Sequence, residues 1–248
     1  MTTFNGHSAL SRGGRLFTSG CRWLLQNPRG CAANESPLGG DHLRELGHCL
    51  LQGLAWPSEA TTGVRIVGIT SCYRGEGVST IARLMATTAA SSGAHEVLLV
   101  DANFDRPSVH ETLVHPDSPD PTNTEPDGDN GKFKLQPTQL PNLHALVIGQ
   151  GQVGAISDSL NSLKTLLAGC RRRFDLVVVD CPALNETQSG GRLSNLLDGF
   201  VLVVEDACVR REVALRTHRS LERSGGKILG VVLNKRNKCV PNWLYRSL

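Results

Sequence analysis

The chain has 248 residues, enough for one ordinary domain with tails and a long loop. With 40% hydrophobic and 20% charged residues it can bury a sizeable core, which excludes wholesale disorder. A net charge of +3 gives no support to a strongly basic nucleic-acid-binding face.

The eight cysteines include no C-x-x-C pair, so no zinc framework can be read from them. Several fall among small or apolar residues, the pattern of free buried thiols in a reducing cytosol. No stretch approaches the roughly 20 apolar residues of a membrane span, so direct membrane insertion is not expected.

Residues 1–40 read as a disordered basic tail. Arg12, Arg15, Arg22 and Arg29 precede the first acid, Glu35. An organelle transit peptide would share that bias, but Gly and Ser interrupt any helical face. From 41 to 55, Leu43, Leu46, Leu50 and Leu54 lie at helical spacing, and Trp56-Pro57 ends the helix.

An apolar run follows at Val64–Thr70, then a glycine-containing turn and an alanine-rich helix over Val78–Ser91. Val97–Val100 is the next strand and ends in Asp101. Residues 115–142 are rich in proline and aspartate and read as a flexible exposed loop. Beyond it the pattern predicts a strand at Leu143–Ile148, a helix at Ile156–Ala168 and a strand at Asp175–Val179. A strand at Phe200–Val204, a helix near 210–223 and a strand at Ile228–Leu233 complete the series.

Strands alternate with helices, and most strands are continuous apolar runs. This predicts an α/β fold, a doubly wound and mostly parallel sheet with helices on both faces. Ligands of such sheets bind at the carboxyl ends of the strands.

Three segments sit at that edge. Ser71–Thr80 (SCYRGEGVST) joins a strand to a helix. Gly75 and Gly77 allow backbone amides to turn toward an anion, the helix N-terminus favours negative charge, and Ser79 and Thr80 supply hydroxyls for phosphate and Mg²⁺. The general phosphate-loop pattern places lysine before the Ser/Thr, and here that position is Val78. Its first glycine is Cys72. Asp101 ends the VLLV strand and Asp180 ends the LVVV strand ahead of Cys181-Pro182. Taken alone, Asp101 also reads as a helix cap and Asp180 as a capping or turn residue before proline; glycine loop, strand-Asp and strand-Asp-x-Pro in that order point to nucleotide chemistry.

With these blocks the chain resembles the bacterial tyrosine autokinases of capsule and exopolysaccharide synthesis, in the clan of partitioning and septum-site phosphate-loop ATPases. The runs ITSCYRGEGVSTIARLMA, EVLLVDANFDRPSVH, FDLVVVDCPA and ILGVVLNK carry the likeness, over about 41–237. Residues 238–248 read as a C-terminal tail. The resemblance implies an ATP–Mg²⁺ site, with Arg74, Gly75, Glu76, Gly77, Val78, Ser79 and Thr80 around the phosphates and Asn234 at the adenine. It implies Ser79, Asp101 and Asp180 at the metal, and Asp101, Asp180 and Arg106 in catalysis.

It further implies a cytoplasmic protein docked on a membrane-embedded regulator of polysaccharide chain length, with a possible homo-oligomer and no nucleic acid. The departures are Val78 for the loop lysine, Asn103 for the second Asp of its motif and Asp105 for an arginine, with Arg106 following. In the helix resembling the family's oligomerisation element, Gly47 replaces the last arginine after Asp41 and Arg44. The tyrosine cluster is missing, which leaves Tyr245 as the tail acceptor. Arg74 is the expected stand-in for the lost lysine; Lys235, Arg236 and Lys238 read as a solvated tail in preference to a cluster that approaches a nucleotide or an acidic partner. A non-catalytic scaffold of the same system, or a partitioning-type ATPase, is the alternative reading.

Overall fold

A computed structural model describes residues 24–28, 41–54, 65–103, 133–148, 156–170, 173–185 and 193–236. Eight strands form one sheet: β1 (Leu24–Pro28), β2 (Arg65–Ser71), β3 (Val97–Asp101), β4 (Phe133–Pro137), β5 (Leu143–Ile148), β6 (Leu176–Asp180), β7 (Gly199–Glu205) and β8 (Ile228–Arg236). The helices are α1 (Asp41–Gly53), α2 (Val78–Ala90), α3 (Ile156–Cys170) and α4 (Arg211–Arg223), with a 3₁₀ turn at Ser194–Leu196.

The strand order is β1-β8-β7-β2-β6-β3-β5-β4. All neighbours run parallel except β4, which pairs antiparallel with β5 at one edge. The doubly wound α/β reading therefore holds.

The alternation of each strand sorts its residues onto two faces. Val67, Ile69, Leu99, Val178, Val201 and Val203 pack with α1 and α2 residues such as Leu50, Ile81 and Met85. Ile66, Leu98, Val177, Val179 and Leu202 face the other way, against Leu163 and Leu167 of α3 and Leu221 of α4. Both faces are covered, which is why these strands have no polar side. Each such fully buried side chain contributes roughly 1.5–3 kcal/mol.

Two expectations are corrected. Within 1–40, read as a tail, Leu24–Pro28 form β1 along the open edge of β8. The charge bias of the whole segment hid a short apolar Leu24-Leu25 pair able to add a strand there. Within 115–142, read as loop, Phe133–Pro137 form β4. Proline and aspartate dominate that stretch as a whole, yet its last part alternates, and Pro137 falls at the end of an edge strand, where a missing N–H is tolerated. No helix among the described residues is long and apolar enough to cross a membrane.

Candidate functional site

β2, β3, β6, β7 and β8 are parallel, so their carboxyl ends share one rim. Every group described below follows from that. Residues 72–77 leave β2 and turn into α2. Gly75 and Gly77 have φ of +81° and +98°, values that glycine alone adopts readily. Nothing lies within 4 Å of a Cβ built on Gly75, whereas a Cβ on Gly77 would run into Asn234 Nδ2. The loop is thus open above Gly75 and closely backed at Gly77. Its glycine and hydroxyl positions, Gly75, Gly77, Ser79 and Thr80, stand at the N-terminus of α2.

Glu76 holds the loop from within. Its carboxylate accepts from the Tyr73 N–H (2.7 Å) and from the Glu205 N–H at the end of β7 (3.3 Å). Burial pushes its pKa up to about 7, against the lowering effect of the Tyr73, Glu205 and Cys72 amides. The Asn234 amide donates to the Glu76 carbonyl at 2.7 Å. Asn234, implied at the adenine by the resemblance, thus braces the loop and is buried behind Gly77.

Asp101 and Asp180 are register partners on β3 and β6. Adjacent strands lie about 4.8 Å apart, so the two carboxylates are close neighbours at one rim. Both are buried. Burial drives the Asp180 pKa up to about 7; the nearby Asp101 charge adds to this, while a hydrogen bond with Ser79 and the Arg83 charge oppose it. Arg83, one turn along α2 from Ser79, is half-buried, and burial lowers its pKa against the pull of Asp180 and Asp101. Asp101 also accepts from the Asn103 N–H at 3.0 Å, a local turn contact rather than the helix cap of its simpler reading. The Asp-x-Pro segment is fixed by Thr70, whose hydroxyl donates to the Pro182 carbonyl at 2.9 Å.

Val78 is half-buried and packs against the α1–α2 side of the core. Arg74 is exposed at the loop tip. Lys235 departs from the tail reading: its ammonium donates to the Gly75 carbonyl at 2.6 Å and to Glu205 Oε2 at 3.0 Å. Sequence reasoning ranked the approach of Lys235 to a nucleotide below a solvated tail and missed Arg83 altogether, although the helical step of four from Ser79 was an available signal. Arg106, Arg236, Lys238 and Tyr245 lie outside the residues whose side chains are described.

The donor set fits Mg²⁺. Asp180 Oδ2 is buried with no hydrogen-bond partner, and Ser79 stands beside it. No group of three or more His, Cys, Asp or Glu that could hold a metal occurs among the described residues. An ion held by one or two carboxylates together with ligand phosphates requires no such group.

No protein-family model matches the chain. The tyrosine-protein kinase CpsD of Streptococcus agalactiae is 27% identical over 184 residues, spanning 72% of this chain and 78% of the relative. The kinase domain of the Escherichia coli tyrosine kinase ETK has a similar fold, with a TM-score of 0.69 at 20% identity, covering 88% of this chain and 91% of that one. The septum site-determining protein MinD of Pyrococcus horikoshii, solved with Mg-ADP, matches with a TM-score of 0.52 at 18% identity over 74% and 76% of the two chains. By sequence this chain is similar to bacterial tyrosine-protein kinases, and its fold is the one those kinase domains and MinD share.

Proposed function

We propose that this chain binds ATP with Mg²⁺ at the carboxyl rim of its sheet, as an ATP-dependent tyrosine kinase or ATPase of exopolysaccharide and capsule synthesis. One observation carries the reading: Asp101 and Asp180 are in register beside the glycine loop, with Ser79 bonded to Asp180. The loop amides from Gly75 to Thr80 bind phosphate oxygens, supported by the N-terminus of α2. Ser79 and Asp180 hold the metal. When bound, Mg²⁺ neutralises charge on the phosphates. Asp101 takes the proton of the attacking hydroxyl. Arg106 and the acceptor Tyr245 complete this scheme on the family resemblance, as do a cytoplasmic location and recruitment to the membrane by an embedded chain-length regulator.

Val78 favours a second reading, a scaffold of the same system that binds nucleotide without turnover. The loop lysine stabilises transferring phosphate charge, and its loss lowers the rate more than the affinity. Incubation of the full chain with labelled ATP and Mg²⁺ separates the two. Phosphotyrosine or released phosphate above an Asp101→Asn control supports the enzyme. Turnover that arises only in Val78→Lys supports the scaffold. Absence of nucleotide binding by either protein refutes both.

A further inference from the structure

We infer that Lys235 replaces the missing phosphate-loop lysine, delivering its cation to the bound phosphates from the end of β8; this rests on the ATP reading above. A phosphate loop without a cation leaves the β- and γ-phosphate charge unbalanced. Val78 cannot supply one, and it is packed against the core. Arg83 lies within the field of the Asp180 and Asp101 charges, which favour its cation against burial. Lys235 already has its ammonium on the loop backbone, 2.6 Å from the Gly75 carbonyl.

The backbone at Lys235 is built for this contact. Successive side chains of a strand point to opposite faces, so Asn234 and Lys235 should not both reach the loop. Lys235 has φ of +54°, a left-handed value uncommon outside glycine and asparagine. It breaks the alternation, so Asn234 braces Glu76 while Lys235 reaches Gly75. Strained backbone of this kind concentrates at functional positions.

Glu205 Oε2, 3.0 Å from the ammonium, is its counter-ion when no anion is bound. The lysine side chain is 41% exposed. Its flexible four-carbon stem lets the ammonium turn from Glu205 to a phosphate held above the open Gly75 position. A triphosphate carries more negative charge than one carboxylate, so the exchange favours the ligand.

The test is titration of the full chain with a fluorescent ATP analogue and Mg²⁺, using wild type, Lys235→Met, Val78→Lys and the double variant. Lys235→Met should weaken binding about tenfold or more, the weight of one charge-assisted contact. In the Val78→Lys background the same change should cost less than about threefold, because the loop then has its own cation. Equal affinity of Lys235→Met and wild type overturns the inference, and so does an equal loss in both backgrounds. Binding by Val78→Lys but not by wild type also overturns it while leaving the nucleotide site intact. No binding by any of the four refutes the site itself. If Lys235→Met melts early, Glu205→Gln gives a second measurement. Freeing the ammonium should tighten binding several-fold, and unchanged or weaker binding rejects the inference.

Discussion

Replacing Asp180 by asparagine tests the electrostatics of the rim through stability alone. Asp180 is 1% exposed, its Oδ2 has no partner, and Asp101 sits in register beside it. Its pKa rises from the ordinary 3.8 to about 7 on folding, chiefly through burial. The folded state therefore holds this proton more tightly than the unfolded chain. Stability contributed by the protonated acid is present below pH 4 and is lost as pH rises toward 7. At about 1.4 kcal/mol per pKa unit, the interval corresponds to about 4 kcal/mol at most. Above pH 7 the ligand-free protein carries that penalty, and asparagine removes it. At pH 8 without Mg²⁺ or nucleotide, Asp180→Asn should melt several degrees above wild type. At about pH 3.5, below the ordinary value of 3.8, the two should melt within a degree or two of each other. Urea denaturation followed by circular dichroism at both pH values gives the free energies. A variant less stable than wild type at pH 8, or a gain of the same size at both pH values, refutes the argument.

Three further outcomes follow from the packing. Gly77→Ala forces a Cβ onto Asn234 Nδ2 at a φ of +98°, so it should destabilise the fold by roughly 1–3 kcal/mol in denaturant titration and weaken nucleotide binding with it. Asn234→Ala leaves the Glu76 carbonyl without its donor and should cost about 1–3 kcal/mol by the same assay. Gly47→Arg, which restores the arginine of the resembled oligomerisation helix, should lower the melting temperature, because a Cβ at 47 already collides with Thr88 of α2.

The strands that lead into the candidate site were legible because both faces of the sheet are covered. VRIVGIT, VLLV and LVVV have no polar alternation to confuse their limits, and each leads directly into its functional residue. The convergence of Asp101 and Asp180 followed from parallel strands alone. β4 was hidden because its short alternating run ends a segment dominated by proline. Lys235 was ranked as tail for a different reason. Strand geometry assigns Asn234 and Lys235 to opposite faces, and only a left-handed backbone angle, which no local pattern announced, brings both to a loop about 160 residues earlier. Gly47 was visible as a departure, but that it marks close approach of α1 to α2 required the Thr88 contact.

The grip of β8 on the glycine loop sets the order in which this protein can become competent. During synthesis the loop emerges long before residues 228–236, and until they dock it lacks the Asn234 brace on Glu76 and the Lys235 contact at Gly75. A nascent or truncated chain ending before β8 would carry the glycine motif intact and still present a loose, weakly selective anion site. On the nucleotide reading proposed above, tight retention of ATP would report that β8 is in place.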